Sequence, residues 1–320
     1  MSDMTNKKLP SYGGQALIEG VLMRGMNHVV ASFRAPDGHI EVVHEELTGI
    51  YKSKIRRIPL LRGLVVLWDS LGLGLHFLTI SANVQTGEDE KLDKKDMVLT
   101  MIVSFAIAIL LFFLGPAWIA QIIENHTKMS ITASSFLEGF LRLAVVVGYM
   151  WIVSKMEDVN RVFRYHGAEH KTINCFEKGL EVNLENVRGQ SRHHPRCGTA
   201  FMVTVVIISV ILFILISPLT PNMASRLISR LLLVPVIAGV SYEFIRWTAA
   251  HLNNPFVKIL VKPNMWVQNI TTAVPDDSML ECAINSFNLL LAYENNEPIP
   301  DNVIQPKAEQ HQEIGDQKIS

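Results

Sequence analysis

Apolar residues run through this chain in long unbroken stretches, separated by strongly charged ones. Residues 98–118 carry no charged side chain, and the uncharged run continues to 123. Residues 199–220 form a second charge-free run. Each exceeds the roughly 20 residues needed to cross the hydrocarbon of a bilayer. Two further stretches are apolar in the middle and charged at their ends. Residues 136–154 hold Glu138 and Arg142 near the start, and 228–248 hold Arg230 at one end with Glu243 and Arg246 near the other. Charged side chains at span ends reach back to the interface, so both stretches also read as spans. The pattern predicts a mainly α, polytopic membrane protein with about four transmembrane helices.

The segments around the spans carry other periods. Val29, Ala31, Phe33 and Ala35 alternate with polar or small residues, Pro36-Asp37-Gly38 supplies a turn, and Ile40 and Val42 resume the alternation. This predicts a small N-terminal β-hairpin over 29–45. The glycines of 13–25 suggest tight turns or close packing; no Gly-Lys-Ser/Thr follows, which argues against a phosphate loop. Residues 58–82 are apolar except for Arg62, Asp69 and His76, which share one helix face. Basic residues flank that stretch on both sides, so it reads as an interfacial or re-entrant helix whose polar stripe faces either protein or headgroups.

Helical spacing of Val159, Val162, His166, His170 and Ile173 continues the second span as one helix that ends at Gly179. Glu157 and Arg161 are placed to pair on its wet face. Residues 253–275 read as a Pro-broken stretch. Asp276 or Asp277 then caps a helix over 278–293, with Leu280, Ala283, Ile284, Phe287 and Leu290 on its apolar face. The expected organisation is an N-terminal segment (1–57), the interfacial helix (58–82), a charged linker (83–96) and a four-helix membrane domain (97–248) with a His-rich loop (155–198). A C-terminal segment (249–294) and a disordered tail (295–320) complete it.

Charge placement orients these parts. Twelve Lys and Arg precede the first span and eight lie between Lys155 and Arg196, whereas the loop between the first two spans holds only Lys128. The positive-inside rule then puts both termini and the large loop in the cytoplasm of a multi-pass cell-membrane protein. Trp118, Trp151 and Trp247 fall at span ends, as an aromatic belt requires. The polar start, 1–15, is unlike a cleavable signal peptide. A formal charge of −1 gives no electrostatic case for nucleic acid. Cys175, Cys197 and Cys282 all fall on the cytoplasmic side, where thiols stay reduced.

The chemistry is concentrated in His166-Gly167-Ala168-Glu169-His170. Histidines at i and i+4 share a helix face and can close on one metal ion. His-x-x-Glu-His is also the inverted zincin order, in which the Glu is a general base. His193-His194-Pro195-Arg196-Cys197 follows before the next apolar run. His194 and Cys197 are candidate third and fourth ligands. Glu243 competes for the last place, the alternative being a salt bridge to a basic neighbour. Arg196 and Lys171 are candidates to bind an anionic substrate group.

Gly13 to Gly25, Leu61-Arg62-Gly63, Tyr165 to Lys171, His194 to Thr199 and Gln268-Asn269-Ile270-Thr271-Thr272 together resemble the signature blocks of the bacterial YqhQ family. The likeness runs from about Tyr12 to Tyr293. Met26, where the family usually has Pro, and Val274, where an acidic residue is common, depart from it. The resemblance implies a metal-dependent enzyme, although the family itself is a domain of unknown function. The expected function is hydrolysis by a metal-activated water, with a divalent ion, zinc by its ligands, on His166, His170, His194 and Cys197 or Glu243. Glu169 would move the proton, and the substrate would be lipid-linked or a membrane peptide. The competing expectation is a non-enzymatic membrane scaffold with a structural His cluster, binding lipids and a protein partner through its cytoplasmic segments. A transporter is disfavoured because 98–123 and 199–220 hold no charge to relay ions.

Overall fold

The computed structural model describes residues 12–47, 58–86, 94–220 and 222–306. Four strands come first: β1 (Gly13–Leu17), β2 (Gly20–Arg24), β3 (His28–Arg34) and β4 (Ile40–Glu46). The helices are α1 (Leu61–Thr86), α2 (Lys94–Ile109), α3 (Gly115–Thr127), α4 (Ile131–Val153), α5 (Glu157–Glu177), α6 (Leu184–Arg188), α7 (Thr199–Ile216), α8 (Met223–Leu232), α9 (Val234–Ala250), α10 (Pro255–Thr271) and α11 (Asp277–Asn295).

The strands form an antiparallel sheet in sequence order. The predicted hairpin is β3–β4, turning at Gly38 with φ +91°. The glycine-rich block, expected only to turn or pack closely, supplies the two further strands. Both faces of the sheet are covered. Leu17, Leu22, Val29, Ala31, Phe33 and Val43 pack on Leu73, Phe77 and Val84 of α1. Val21, Met23, Val30 and Val42 pack on Tyr165 and Ala168 of α5 and on Leu280, Ala283 and Phe287 of α11. The result is a three-layer α/β/α unit. Asp276 caps α11 by accepting from the Met279 N–H.

Four helices are long and apolar enough to cross a membrane: Leu61–Thr86, Val98–Thr127, Ile131–Val153 and Phe201–Leu219. The bent pair α8 and α9, at 46°, makes a fifth if counted as one span. The predicted span at 228–248 is therefore broken, because Pro235 in the first turn of α9 cannot donate back to α8. Although α1 passes the length test, its second half lies on the sheet. Its first half packs on α9, where a Cβ on Gly63 would lie 2.8 Å from Tyr242. Each member of the polar stripe finds a protein partner: Arg62 pairs with Glu243, Asp69 with Arg24 at 3.0 Å, and the exposed His76 with Glu45 at 2.9 Å.

Glu138, Arg142 and Arg230 do not reach for the interface. Glu138 is fully buried and accepts from Arg142 at 2.9 Å and from Arg230 at 2.7 and 3.0 Å. Arg142 also donates to the carbonyls of Phe112 and Phe113, which a π-turn over Leu110–Leu114 exposes. Both guanidiniums stack on Phe213, at 4.7 and 4.1 Å. Buried charge therefore exists within the candidate spans, in helices other than the two that appeared charge-free.

Further expectations need correction. Residues 253–275 are less broken than expected: Pro255 starts α10 and Pro263 sits inside it, and only Pro275 falls in the extended link that follows. The tail beyond Asn295 begins folded, since Ile304 N–H donates to Asn285 and Val303 is buried. Residues 297–304 line a cavity of about 600 Å³ beside α6 and α11. Residues 307–320 of the tail and 87–93 of the predicted linker lie outside the described residues.

Candidate metal centre

The site is built on α5. This helix does not continue the preceding span: Met156 is extended, with ψ 134°, and Glu157 and Asp158 open a new first turn where acidic side chains are favourable. Its inward stripe is Tyr165, Ala168, Glu169, His170 and Ile173. Arg161 forks onto Glu19 of the sheet, with Nε–O 2.6 Å, instead of pairing with Glu157.

His166, His170 and Cys197 present donor atoms that all lie within 4.8 Å of one another. Cys197 stands just before α7, with its Sγ 3.1 Å from His166 Nε2 and 3.1 Å from Thr199 Oγ1. His166 Nδ1 lies 2.8 Å from the Thr271 carbonyl, and His170 Nδ1 lies 2.6 Å from the Arg192 carbonyl. A carbonyl only accepts, so each Nδ1 carries the proton and each Nε2 offers a lone pair. One thiol proton can satisfy one of those lone pairs. His170 Nε2 is buried with no hydrogen-bond partner. Burial, and then the His166 ring, hold the His170 pKa below the usual imidazole range; the Cys197 thiol opposes this shift without reaching hydrogen-bonding geometry on Nε2. Two imidazoles with carbonyl-anchored Nδ1 atoms, and one cysteine, are a donor set that fits a soft or borderline cation such as zinc.

Glu169 points to the sheet. It is buried and takes the backbone N–H of Gly14. A Cβ on Gly14 would lie 2.8 Å from Glu169 Cγ and 2.7 Å from the Leu22 carbonyl, so only glycine lets β1 approach this closely. Burial pushes the Glu169 carboxyl up, against the pull of His166 and His194. Gly167 has a parallel task. The chain leaving α10 crosses α5 there: Ala273 N–H donates to Phe163 at 2.8 Å, and a Cβ on Gly167 would lie 2.2 Å from the Ala273 carbonyl. That crossing brings the Thr271 carbonyl to His166.

Four predicted site residues are placed elsewhere. His194 is buried, but its Nε2 faces Glu177 at 3.2 Å and its ring centre is 5.8 Å from that of His170. Glu243 is taken by Arg62, with Nε–O 2.6 Å, and by the Leu60 N–H at 3.2 Å, so it is not brought to the histidines. Its alternative reading, the salt bridge, is the one realised. Arg196 is paired with Glu177. Lys171 donates to the carbonyls of Arg188 and Gln190, both at 2.7 Å, and so ties down the loop before Cys197. Burial pushes the Cys175 and Cys282 thiols up, Cys282 to about 12, as befits core residues.

The residue types alone did not point to Gln268, which clamps His194 by accepting its N–H at 2.8 Å and donating to its carbonyl at 2.9 Å. Nor did they point to Thr271 and Arg192, whose carbonyls set both tautomers. A backbone acceptor leaves no mark in composition; only the block 268–272 drew attention to that region.

An α/β/α layer set on a bundle of candidate spans, with His166 and His170 on α5 facing Cys197 just before α7, defines a mainly helical protein, compatible with a multi-pass membrane protein, that carries a candidate metal centre. The chain belongs to the family described as protein of unknown function (DUF1385), which matches residues 58–293. The uncharacterized protein YqhQ of Bacillus subtilis (strain 168) is 35% identical to it over 306 residues, 90% of this chain and 95% of that one. No solved structure matches it.

Proposed function

We propose that this protein is a metal-dependent membrane hydrolase, with a divalent ion, zinc by its donor set, on His166, His170 and Cys197. The observation that carries this reading is the pair of Nε2 lone pairs, both oriented by backbone carbonyls and one left without a partner. When bound, such an ion supplies a Lewis acid and an acidified water. Glu169 is the proton acceptor: burial raises its affinity for a proton, the direction in which a carboxylate becomes a better general base. Gly14 N–H holds the carboxylate in place. His194 and Arg196 share Glu177 and stabilise the loop that presents Cys197. The distribution of Lys and Arg supports a cytoplasmic position for the termini and the sheet, and a lipid-linked or membrane-peptide substrate is consistent with a site beside the spans.

A non-enzymatic scaffold with a structural metal cluster is the second reading, favoured by the burial of His170, Cys197 and Glu169. Metal content distinguishes a metal site from none. The purified protein and Glu169→Gln should carry close to one ion per chain, and His166→Ala and His170→Ala should lose it. Equal, substoichiometric metal in all four would contradict the proposal. Complementation of a deletion strain separates enzyme from scaffold: metal-loaded Glu169→Gln fails if the protein is an enzyme and succeeds if it is a scaffold.

A further inference from the structure

Helix α10 presents three stripes. Val257, Val261, Asn264, Val267, Gln268 and Thr271 are buried. They rest on the spans: Val267 joins Val146 and Met150 of α4 and Val203 and Val206 of α7, and Asn264 donates to Thr204 at 3.3 Å. The opposite stripe is apolar and bare, with Phe256 63%, Ile259 60% and Trp266 58% exposed. Beside it lie Lys258 and Lys262, both exposed, and the helix contains no acidic residue.

At 17 residues the helix is about 25 Å long, short of the hydrocarbon thickness. Pro263, on the exposed side, removes the N–H that would satisfy the Ile259 carbonyl. A freed carbonyl facing lipid is costly in the hydrocarbon and harmless at headgroup depth, where water reaches it. Length, proline and lysines agree on one depth.

We propose that α10 lies in the headgroup layer of an anionic bilayer. Phe256, Ile259 and Trp266 enter the top of the acyl region, and Lys258 and Lys262 contact lipid phosphates. The Thr271 carbonyl in the last turn holds His166, so this contact fixes the depth of the His-His-Cys group, whether or not an ion is bound.

The test uses the full chain in nanodiscs of phosphatidylcholine, alone or mixed with phosphatidylglycerol. The Trp266 emission is read as the difference between the parent and Trp266→Phe. Lipids brominated near the glycerol should quench it about twofold more than lipids brominated near the chain end, as expected for a ring about 5–10 Å below the surface. Phosphatidylglycerol should increase that quenching, and a Lys258→Glu, Lys262→Glu double variant that keeps its elution volume should lose the increase. Stronger quenching by the deep bromines would overturn the proposal in favour of a span. Full quenching by aqueous iodide would mean a water-facing helix, and quenching by neither would mean a protein partner on this face; each overturns it. Indifference to phosphatidylglycerol would overturn the anionic contact.

Discussion

Replacing Glu138 with Gln is the sharpest test of the buried charge network. The carboxylate is fully buried and neutralises Arg142 and Arg230, which are 2% and 0% exposed. It accepts three hydrogen bonds, at 2.7, 2.9 and 3.0 Å. Glutamine keeps the volume, removes the charge and turns an amide N–H₂ toward guanidinium donors. Two buried cations then keep only neutral company: the Phe213 ring, the Ser209 and Ser229 hydroxyls, the Phe112 and Phe113 carbonyls and the glutamine itself. Breaking a buried pair from one side costs about 3–5 kcal/mol. At roughly 2–4 °C per kcal/mol, the thermal midpoint should fall by about 10 °C. The assay is the fraction of protein still monodisperse in detergent after heating to graded temperatures. A second substitution makes the result specific: Glu138→Gln with Arg230→Met removes both charges of the forked pair, so the double variant should be more stable than the sum of the singles predicts. A Glu138→Gln midpoint within about 1 °C of the parent, or strict additivity, would refute the network's role.

Three other outcomes follow from the same contacts. Gly167→Ala should cost about 1–3 kcal/mol and lower the metal content, because its Cβ meets the Ala273 carbonyl, whereas Gly148→Ala, with nothing within 4 Å, should be neutral or stabilising; similar melting of the two would count against the crossing. Glu243→Gln should leave metal content unchanged and cost about 1 kcal/mol or less, since the Arg62 pair is partly exposed; metal loss would restore Glu243 as a ligand. In metal-free protein the raised Glu169 pKa means that the folded state holds its proton longer than the unfolded chain. That contribution is complete below the ordinary glutamate value and is lost as pH rises from there through the raised value. Glu169→Gln should remove this loss, and denaturation midpoints with unchanged pH dependence would show that Glu169 is not the group responsible.

Much of this architecture is legible in residue pattern. Charge-free runs locate α2–α3 and α7, alternation locates β3 and β4, and Asp276 and Gly179 mark a helix start and a helix end. The misses have physical causes. Strands β1 and β2 each open on glycine, Gly14 where Glu169 of α5 presses on the sheet and Gly20 where β3 comes close, so this block reads as turns rather than strands. Glu138, Arg142 and Arg230 look like span-end charges because distance along a helix does not reveal a partner on another helix. Pro263 looks like a breaker, yet its freed carbonyl falls on the exposed side of α10. At the site, the i, i+4 spacing pointed to His166 and His170, and membership of the second cluster pointed to Cys197; the structure brings these three together. Glu243 was misplaced because its partner, Arg62, is far away in sequence.

The most direct measurement is X-ray absorption at the zinc edge of the purified, zinc-loaded protein. One sulfur and two imidazole nitrogens from the chain should appear around the ion, and Cys197→Ser should erase the sulfur while His194→Ala leaves the imidazole count unchanged. A shell without sulfur, or one that loses an imidazole in His194→Ala, would contradict a centre built from His166, His170 and Cys197.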